Sequence, residues 1–221
     1  STLRVGGGGA SKPPRETTLT EDLPSRPAGG PPGPTSTGLE IRWLRWQDAR
    51  ETLLDLRRRV FVEEQGFAPH VLESPGDPDG IHLGAFADGQ LVASIACYLY
   101  EPGAPGLAAF GLPQVDGLTI QWSKRIELAS HRGRGITEQF AASMFRYLYE
   151  AMRPVRLFLA LQGPHRSLES HYQRTFGFRR HGEVMLPSPS GEPAATTVMV
   201  IEGEARLRQI YLLMRGAAES E

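Results

Sequence analysis

The sequence predicts a mixed α/β (α+β) domain, in which a mostly antiparallel central sheet is flanked by helices. Asp88-Gly89 is a strong hairpin signal between two apolar stretches, 81–87 and 91–100, so these are predicted to pair antiparallel. A strand pattern at 118–128, a helix pattern at 136–153 and a strand pattern at 155–161 then follow in the order of a parallel β-α-β crossover. Together they predict antiparallel strands followed by one crossover unit.

The other elements follow from apolar periodicity and from Gly and Pro boundaries. Helix 136–153 carries an apolar stripe, and Pro154 closes it. The remaining strands are predicted at 39–43, 179–186 and 196–201, and the remaining helices at 47–63, 167–175 and 205–214. The predicted order is β-α-β-β-β-α-β-α-β-β with a final helix.

Composition divides the chain into two parts. Residues 1–38 are rich in Gly and Pro and predict a disordered leader, whereas 39–221 can form one domain with a core. The net charge of −1 gives no global field for nucleic acid or an anionic membrane, and no apolar run is long enough for a membrane span. The single cysteine, Cys97, excludes an internal disulfide, predicts a cytoplasmic setting, and offers no metal cluster.

The loop Arg132-Gly-Arg-Gly135 joins a predicted strand to a predicted helix start at Ile136. A helix N-terminus presents unpaired N–H groups and a partial positive charge, so this loop predicts a diphosphate site. Glu138 stands where the dinucleotide fingerprint needs a third glycine, and no nucleotide P-loop motif occurs. A strand-to-helix turn with solvated arginines is the alternative interpretation.

The pattern R-x-x-G-x-[G/A], with Arg132, Gly135 and Thr137 at its positions, resembles the GNAT acyltransferase superfamily. The element order over 39–201 and the helix-ending Gly177-Phe178 agree with that resemblance. It implies that coenzyme A binds at the strand and the loop, with an acyl thioester as co-substrate, and the composition already predicts no metal. The implied cofactor-binding residues are Ile126, Leu128, Arg132, Gly133, Arg134, Gly135, Ile136, Thr137 and His165.

Strand 118–128 has one face that is apolar except for Lys124 and one face that is polar and ends at Glu127. The resemblance implies that Glu127 is the general base for the amine and that Tyr172 protonates the departing thiolate. Tyr172 lies five residues before Gly177, where the family most often has four, so His171 is the alternative acid. The alternative for Glu127 is a structural ion network with Arg125.

Arg57-x-x-Val-Phe61 followed by Gly66-Phe67 resembles the N-terminal signature of acyl-homoserine-lactone synthases and N-acyl amino acid synthases. This partial resemblance implies substrate contacts at Arg57, Phe67 and Arg125. It also implies a fatty acyl donor on acyl carrier protein. The third strand lacks the expected arginine, and Trp122 stands where the next strand would carry Glu, which argues against homoserine-lactone synthesis.

The sequence therefore predicts an N-acyltransferase. The donor would be acetyl-CoA, a longer acyl-CoA or an acyl-phosphopantetheine carrier, and the acceptor a primary amine on a small molecule or peptide. A non-catalytic acyl-CoA-binding module is the alternative. Loop 101–114 and the final helix would shape the amine pocket or a homodimer contact.

Overall fold

A computed structural model describes residues 38–163, 166–188 and 190–218. The predicted leader lies outside these residues except for Gly38, and so does the predicted cofactor-binding residue His165.

The described residues form one seven-stranded sheet in the order β1-β2-β3-β4-β5-β7-β6. Only β4 and β5 run parallel, and the other five pairs are antiparallel. This arrangement confirms the predicted fold class. The strands are β1 Glu40–Leu44, β2 Ile81–Ala87, β3 Gln90–Tyr100, β4 Thr119–Glu127, β5 Arg156–Gln162, β6 Arg179–Pro187 and β7 Pro193–Glu202.

Four α-helices cover the two faces of the sheet. They are α1 Trp46–Arg57, α2 Ile136–Tyr147, α3 Arg166–Phe176 and α4 Glu204–Ala218. Helix α1 continues as a π-helical segment, Arg58–Glu64, and α2 as another, Leu148–Met152. Helix α2 packs its apolar stripe into the main core, whereas α1 forms a second core around Leu53 on the other face.

Strands β4 and β5 pair over only part of their length. Thr119–Trp122 of β4 pairs with residues 156–159 of β5. Beyond this point, residues 160–162 of β5 pair with β7, and β4 continues alone beside β3. The two strands therefore diverge, and the open edge of β4 faces a cleft.

A β-bulge interrupts β4 at the start of its unpaired half. Ser123 lies opposite Ala96 and Ile126 opposite Ser94, so two residues of β4 oppose one residue of β3. Lys124 has a positive φ of 46° at this bulge. Strict alternation predicted Trp122 and Ile126 on one face, and this prediction is wrong. Trp122 packs into the core that contains α2, whereas Ile126 packs into the α1 core.

Within residues 38–163, 166–188 and 190–218, no helix combines the length and the apolar character needed to cross a membrane.

Candidate active site

Two cavities meet at the divergence of β4 and β5. The loop cavity, of about 700 Å³, lies beside Arg132–Gly135 and the start of α2. The strand cavity, of about 800 Å³, lies between the diverging strands. Both are lined by Gln65 and Arg125, so they adjoin at these residues.

The glycine loop feeds directly into α2, as the sequence predicted. Gly133 and Gly135 have φ values of +76° and +72°, and a Cβ at Gly133 would meet no heavy atom within 4 Å. Gly135 is the N-cap of α2, which begins at Ile136. Because the first amides of a helix have no partner inside the helix, they can bind an anion in the loop cavity.

The arginines of the loop differ in their placement. Arg132 lines the loop cavity, forms an ion pair with Glu64 and donates from Nη2 to the Glu127 carbonyl at 3.2 Å. Arg134 is exposed on the loop and lines neither of the two cavities. Of the two, Arg132 is thus the side chain placed to meet a diphosphate.

The backbone orientation of β4 changes which residues can pair with a ligand. The Leu128 amide donates to the Val92 carbonyl of β3 at 2.9 Å, so it points away from the cleft. Ile126 shares this orientation because alternate residues of a strand point their backbone groups to the same edge. This orientation does not fit the predicted backbone pairing of a ligand with Ile126 and Leu128, although Ile126 is among the residues that line the loop cavity. Glu127 is the residue that turns its backbone groups toward the open edge.

Glu127, Arg125 and Thr137 form a hydrogen-bonded triangle on the wall of the loop cavity, and Arg125 also lines the strand cavity. Glu127 Oε1 accepts from Arg125 Nη1 at 3.0 Å and from the Thr137 hydroxyl at 2.8 Å. Arg125 Nη1 also donates to the Thr137 hydroxyl at 2.5 Å. Only 9% of the Glu127 side chain is exposed. The bulge turns the side chains of Arg125 and Glu127 to the side of the sheet that α2 covers. Strict alternation along the strand predicted them on the same face as Thr119.

Tyr172 and His171 occupy different cavities although they are adjacent in α3. Tyr172 is buried and lines the strand cavity, whereas His171 lines the loop cavity with Nε2 3.9 Å from Glu138 Oε1. Burial raises the pKa of Tyr172, which outweighs the opposite effect of the nearby Arg125 guanidinium. The phenol of Tyr172 therefore stays protonated at neutral pH, as a proton donor requires.

The expected substrate contact of Arg57 does not fit its placement. Its side chain is 1% exposed, lines neither cavity, and donates to both carboxylate oxygens of Asp77 at 2.7 and 2.9 Å. Asp77 also accepts from the Tyr98 hydroxyl at 2.9 Å and from the Ser74 amide at 2.7 Å. Arg57 therefore anchors the segment between α1 and β2 and lies away from both cavities.

Phe67, by contrast, lies where a substrate contact was expected. It lines the strand cavity and stacks on Phe61 with ring centroids 6.0 Å apart. The other apolar residues of this cavity are Val71, Ile95, Phe110, Trp122, Leu159, Ala160, Leu161, Leu168, Leu186 and Ala194.

Lys124 is the residue of the site that sequence reasoning missed. It lines the strand cavity, and its Nζ donates to the Val71 carbonyl at 2.9 Å. Burial, together with the charge of Arg57, lowers the pKa of Lys124 to about 8. The available signal was its position as the one charged residue on the apolar face of β4.

Comparison with known proteins rests on structure. No protein-family model matches the chain, and a search of curated proteins finds no match. An acyl-CoA N-acyltransferase from Pseudomonas aeruginosa superposes with a TM-score of 0.54 and 21% identity, over 73% of this chain and 98% of that one. The CoA-dependent acyl-homoserine lactone synthase BjaI, solved with SAM and isopentyl-CoA, superposes with a TM-score of 0.55 and 18% identity. The match covers 81% of this chain and 89% of that one. Arabidopsis thaliana NAA60 in complex with acetyl-CoA superposes with a TM-score of 0.57 and 12% identity, over 74% of this chain and 98% of that one.

The chain has the GNAT fold. The resemblance predicted from the glycine loop is thereby confirmed at the level of fold, and so is the partial resemblance to acyl-homoserine-lactone synthases. Roles of individual residues rest on the geometry described above.

Proposed function

We propose that this chain is an N-acyltransferase that transfers an acyl group from a coenzyme A thioester to a primary amine. The observation that carries the proposal is the continuity of the cleft. It runs from the glycine loop, past Arg125, into the apolar strand cavity. An acyl thioester of coenzyme A fits along this cleft. Its diphosphate would lie at the loop, its pantetheine arm along the open edge of β4, and its acyl group in the strand cavity.

Glu127 supports the first chemical step. An alkylamine has a pKa of about 10.4, so about one molecule in a thousand is neutral near pH 7 and able to attack a thioester. Glu127 lines the loop cavity beside Arg125, which borders both cavities. Its carboxylate can take the proton directly or through a water molecule, and the bonds from Arg125 and Thr137 fix its orientation.

Tyr172 supports the second step. When the tetrahedral intermediate collapses, the C–S bond breaks and the thiolate needs a proton. The Tyr172 phenol is protonated at neutral pH and lines the cavity on the far side of Arg125 from the loop. Proton donation by a positioned group contributes about a hundredfold or more to turnover.

The strand cavity bears on the length of the acyl group. Its volume of about 800 Å³ and its apolar wall exceed what an acetyl group needs. We therefore include longer acyl groups with acetyl, and coenzyme A is the donor that the loop cavity supports. The acceptor remains a primary amine on a small molecule or peptide.

A non-catalytic acyl-CoA-binding module is the second candidate. The observation that favours it is the pairing of Glu127 with Arg125, since a carboxylate in a structural ion pair needs no catalytic role. The same cleft would then bind the thioester without transferring the acyl group.

The deciding experiment measures release of the coenzyme A thiol from acetyl-CoA and octanoyl-CoA with a panel of amines. We expect Glu127→Gln and Tyr172→Phe each to lower turnover about a hundredfold while acyl-CoA binding, measured by calorimetry, stays within about twofold. Glu183→Gln and Tyr147→Phe, which change residues that line neither cavity, are the matched controls. Binding without turnover in the wild type would instead identify a binding module.

A further inference from the structure

Lys124 is one of only two lysines in the chain, and the other is Lys12. Lysine and arginine total 24, so 22 of the basic residues are arginines. Arginine stays protonated in proteins, whereas a buried lysine can lose its proton and become a nucleophile. The one lysine of residues 39–221 therefore differs in chemistry from every arginine of the domain.

The bulge in β4 directs Lys124 into the cleft. Its side chain is 10% exposed and lines the strand cavity next to Arg125. Nζ donates to the Val71 and Leu72 carbonyls at 2.9 and 3.4 Å, which places it at the wall formed by the segment between α1 and β2.

Two cations share one carboxylate behind this wall. Asp77 Oδ2 lies 3.8 Å from Lys124 Nζ, but it already accepts from Arg57 Nη1 at 2.7 Å and from the Ser74 amide. A desolvated lysine beside another cation is an activated nucleophile, because both conditions favour its neutral form. The titratable groups that interact with Lys124 are Arg57, Glu73, Asp77 and His82. Burial and Arg57 favour its neutral form and outweigh the carboxylates of Asp77 and Glu73, which favour the charged form.

We propose that Lys124 is a self-acylation site, at which the acyl group of a bound coenzyme A thioester forms an amide with Nζ. The inference rests on the proposed function, because that function places the acyl group in the strand cavity. The neutral Nζ attacks the thioester carbonyl carbon, the new C–N bond forms and the C–S bond breaks. The proton lost from the nitrogen ends on the departing sulfur, so coenzyme A leaves as its thiol.

Self-acylation changes the cleft in two ways. The acyl chain stays in the strand cavity, where it excludes the next acyl group. The ammonium of Lys124 becomes a neutral amide, which leaves Arg57 as the cation paired with Asp77. Because the retained acyl chain blocks the strand cavity, transfer to an added amine slows, and the modified chain is less active than the unmodified one.

The test follows incorporation of acetyl groups from acetyl-CoA by peptide mapping and intact mass. In Lys12→Arg, Lys124 is the only lysine, and Lys124→Arg is the matched variant that keeps Lys12. A short peptide with one ordinary lysine serves as the reference. From a pKa of about 8, we expect Lys124 at pH 7 to react about two hundred times faster than the reference. Between pH 7 and pH 9 its rate should rise about tenfold, against about a hundredfold for the reference.

Excess free coenzyme A should protect Lys124, because it occupies the same cleft, and urea should remove both the rate advantage and the protection. Protected acetylation at Lys124 supports the inference even if Lys124→Arg fails to fold. An unmodified Lys124 in a chain that acylates added amines overturns the inference and leaves the proposed function standing. Acetylation that coenzyme A does not slow also overturns it. If the chain does not bind acetyl-CoA, both this inference and the proposed function are wrong.

Discussion

Thr137 shows at the scale of one residue how this chain departs from the pattern it resembles. The motif position usually carries Gly or Ala, yet here the hydroxyl accepts from Arg125 and donates to Glu127. The side chain is buried, so water cannot replace these bonds easily. We infer that Thr137 positions the carboxylate, while its amide remains part of the helix start.

Replacing Thr137 with Val tests this role, because valine keeps the shape and removes the hydroxyl. Loss of one buried hydrogen-bonding group costs about 1–3 kcal/mol, so we expect turnover to fall about tenfold. Acyl-CoA affinity should change little, since the backbone amide is retained. Steady-state kinetics and calorimetry measure the two effects, and Thr137→Ser should restore most of the turnover. Equal turnover in Thr137→Val and the wild type would contradict the role.

At the scale of elements, the bulge of β4 and the start of α2 build the site together. The bulge turns Arg125 and Glu127 toward α2, where Thr137 meets them. The left-handed conformation of Gly135 begins α2 at the point where its first amides face the loop cavity. The site thus depends on two local backbone conformations that a regular strand and a regular helix lack.

Gly135→Ala tests the loop. An L-residue at a φ of +72° costs about 1 kcal/mol, and a Cβ here would project beside the predicted diphosphate. We expect coenzyme A affinity to fall about tenfold, as calorimetry would show. Gly89→Ala, in the hairpin turn at a φ of +77°, carries the same backbone penalty away from the cavities. Its coenzyme A affinity should equal that of the wild type, and an equal loss in both variants would refute the prediction.

At the scale of the whole molecule, a buried polar cluster fixes the segment between α1 and β2 to the sheet. Burial alone would raise the pKa of Asp77, but the hydrogen bonds and charge of Arg57 outweigh it and hold the pKa below its usual value. His82 Nε2 donates to the Asp77 carbonyl at 2.8 Å, and its ring stacks on Trp46 at 5.3 Å. Burial lowers the pKa of His82, because a charged ring would be desolvated there.

These shifts predict an acid-sensitive fold. Between the lowered pKa of folded His82 and the ordinary value of 6.5, the unfolded chain binds the extra proton, so the free energy of unfolding falls as pH drops. Asp77 has a lowered pKa, so its contribution is complete above about pH 4 and is lost as pH falls further.

Urea denaturation at pH 7, 6 and 5 measures the effect of His82. We expect His82→Gln to be less stable at pH 7 but to lose less free energy of unfolding between pH 7 and pH 5. His181→Gln, at an exposed position, should keep the slope of the wild type. If His82→Gln also keeps that slope, His82 is not the group responsible.

Local patterns were enough for most of the elements. The hairpin at Asp88-Gly89, the start of α2 at Ile136 and the crossover from β4 to β5 are confirmed, since each depends on nearby residues. The prediction of regular side-chain alternation is wrong from Lys124 onward, because β4 has a bulge there. The bulge depends on how β4 pairs with β3, which the sequence of β4 alone does not reveal. Arg57 was misplaced for a similar reason, since its partner Asp77 lies 20 residues away.

The sequence by itself determined the element order and the glycine loop at the start of α2, because these depend on periodicity and on local backbone preferences. The roles of Glu127 and Tyr172 came from the resemblance and stay predictions. Only the tertiary structure decided that Leu128 turns its amide to β3, that Arg57 is buried with Asp77, and that Lys124 enters the strand cavity. Strand register and burial bring together residues that are distant in the chain, and the free energy of these contacts exceeds what local preference supplies.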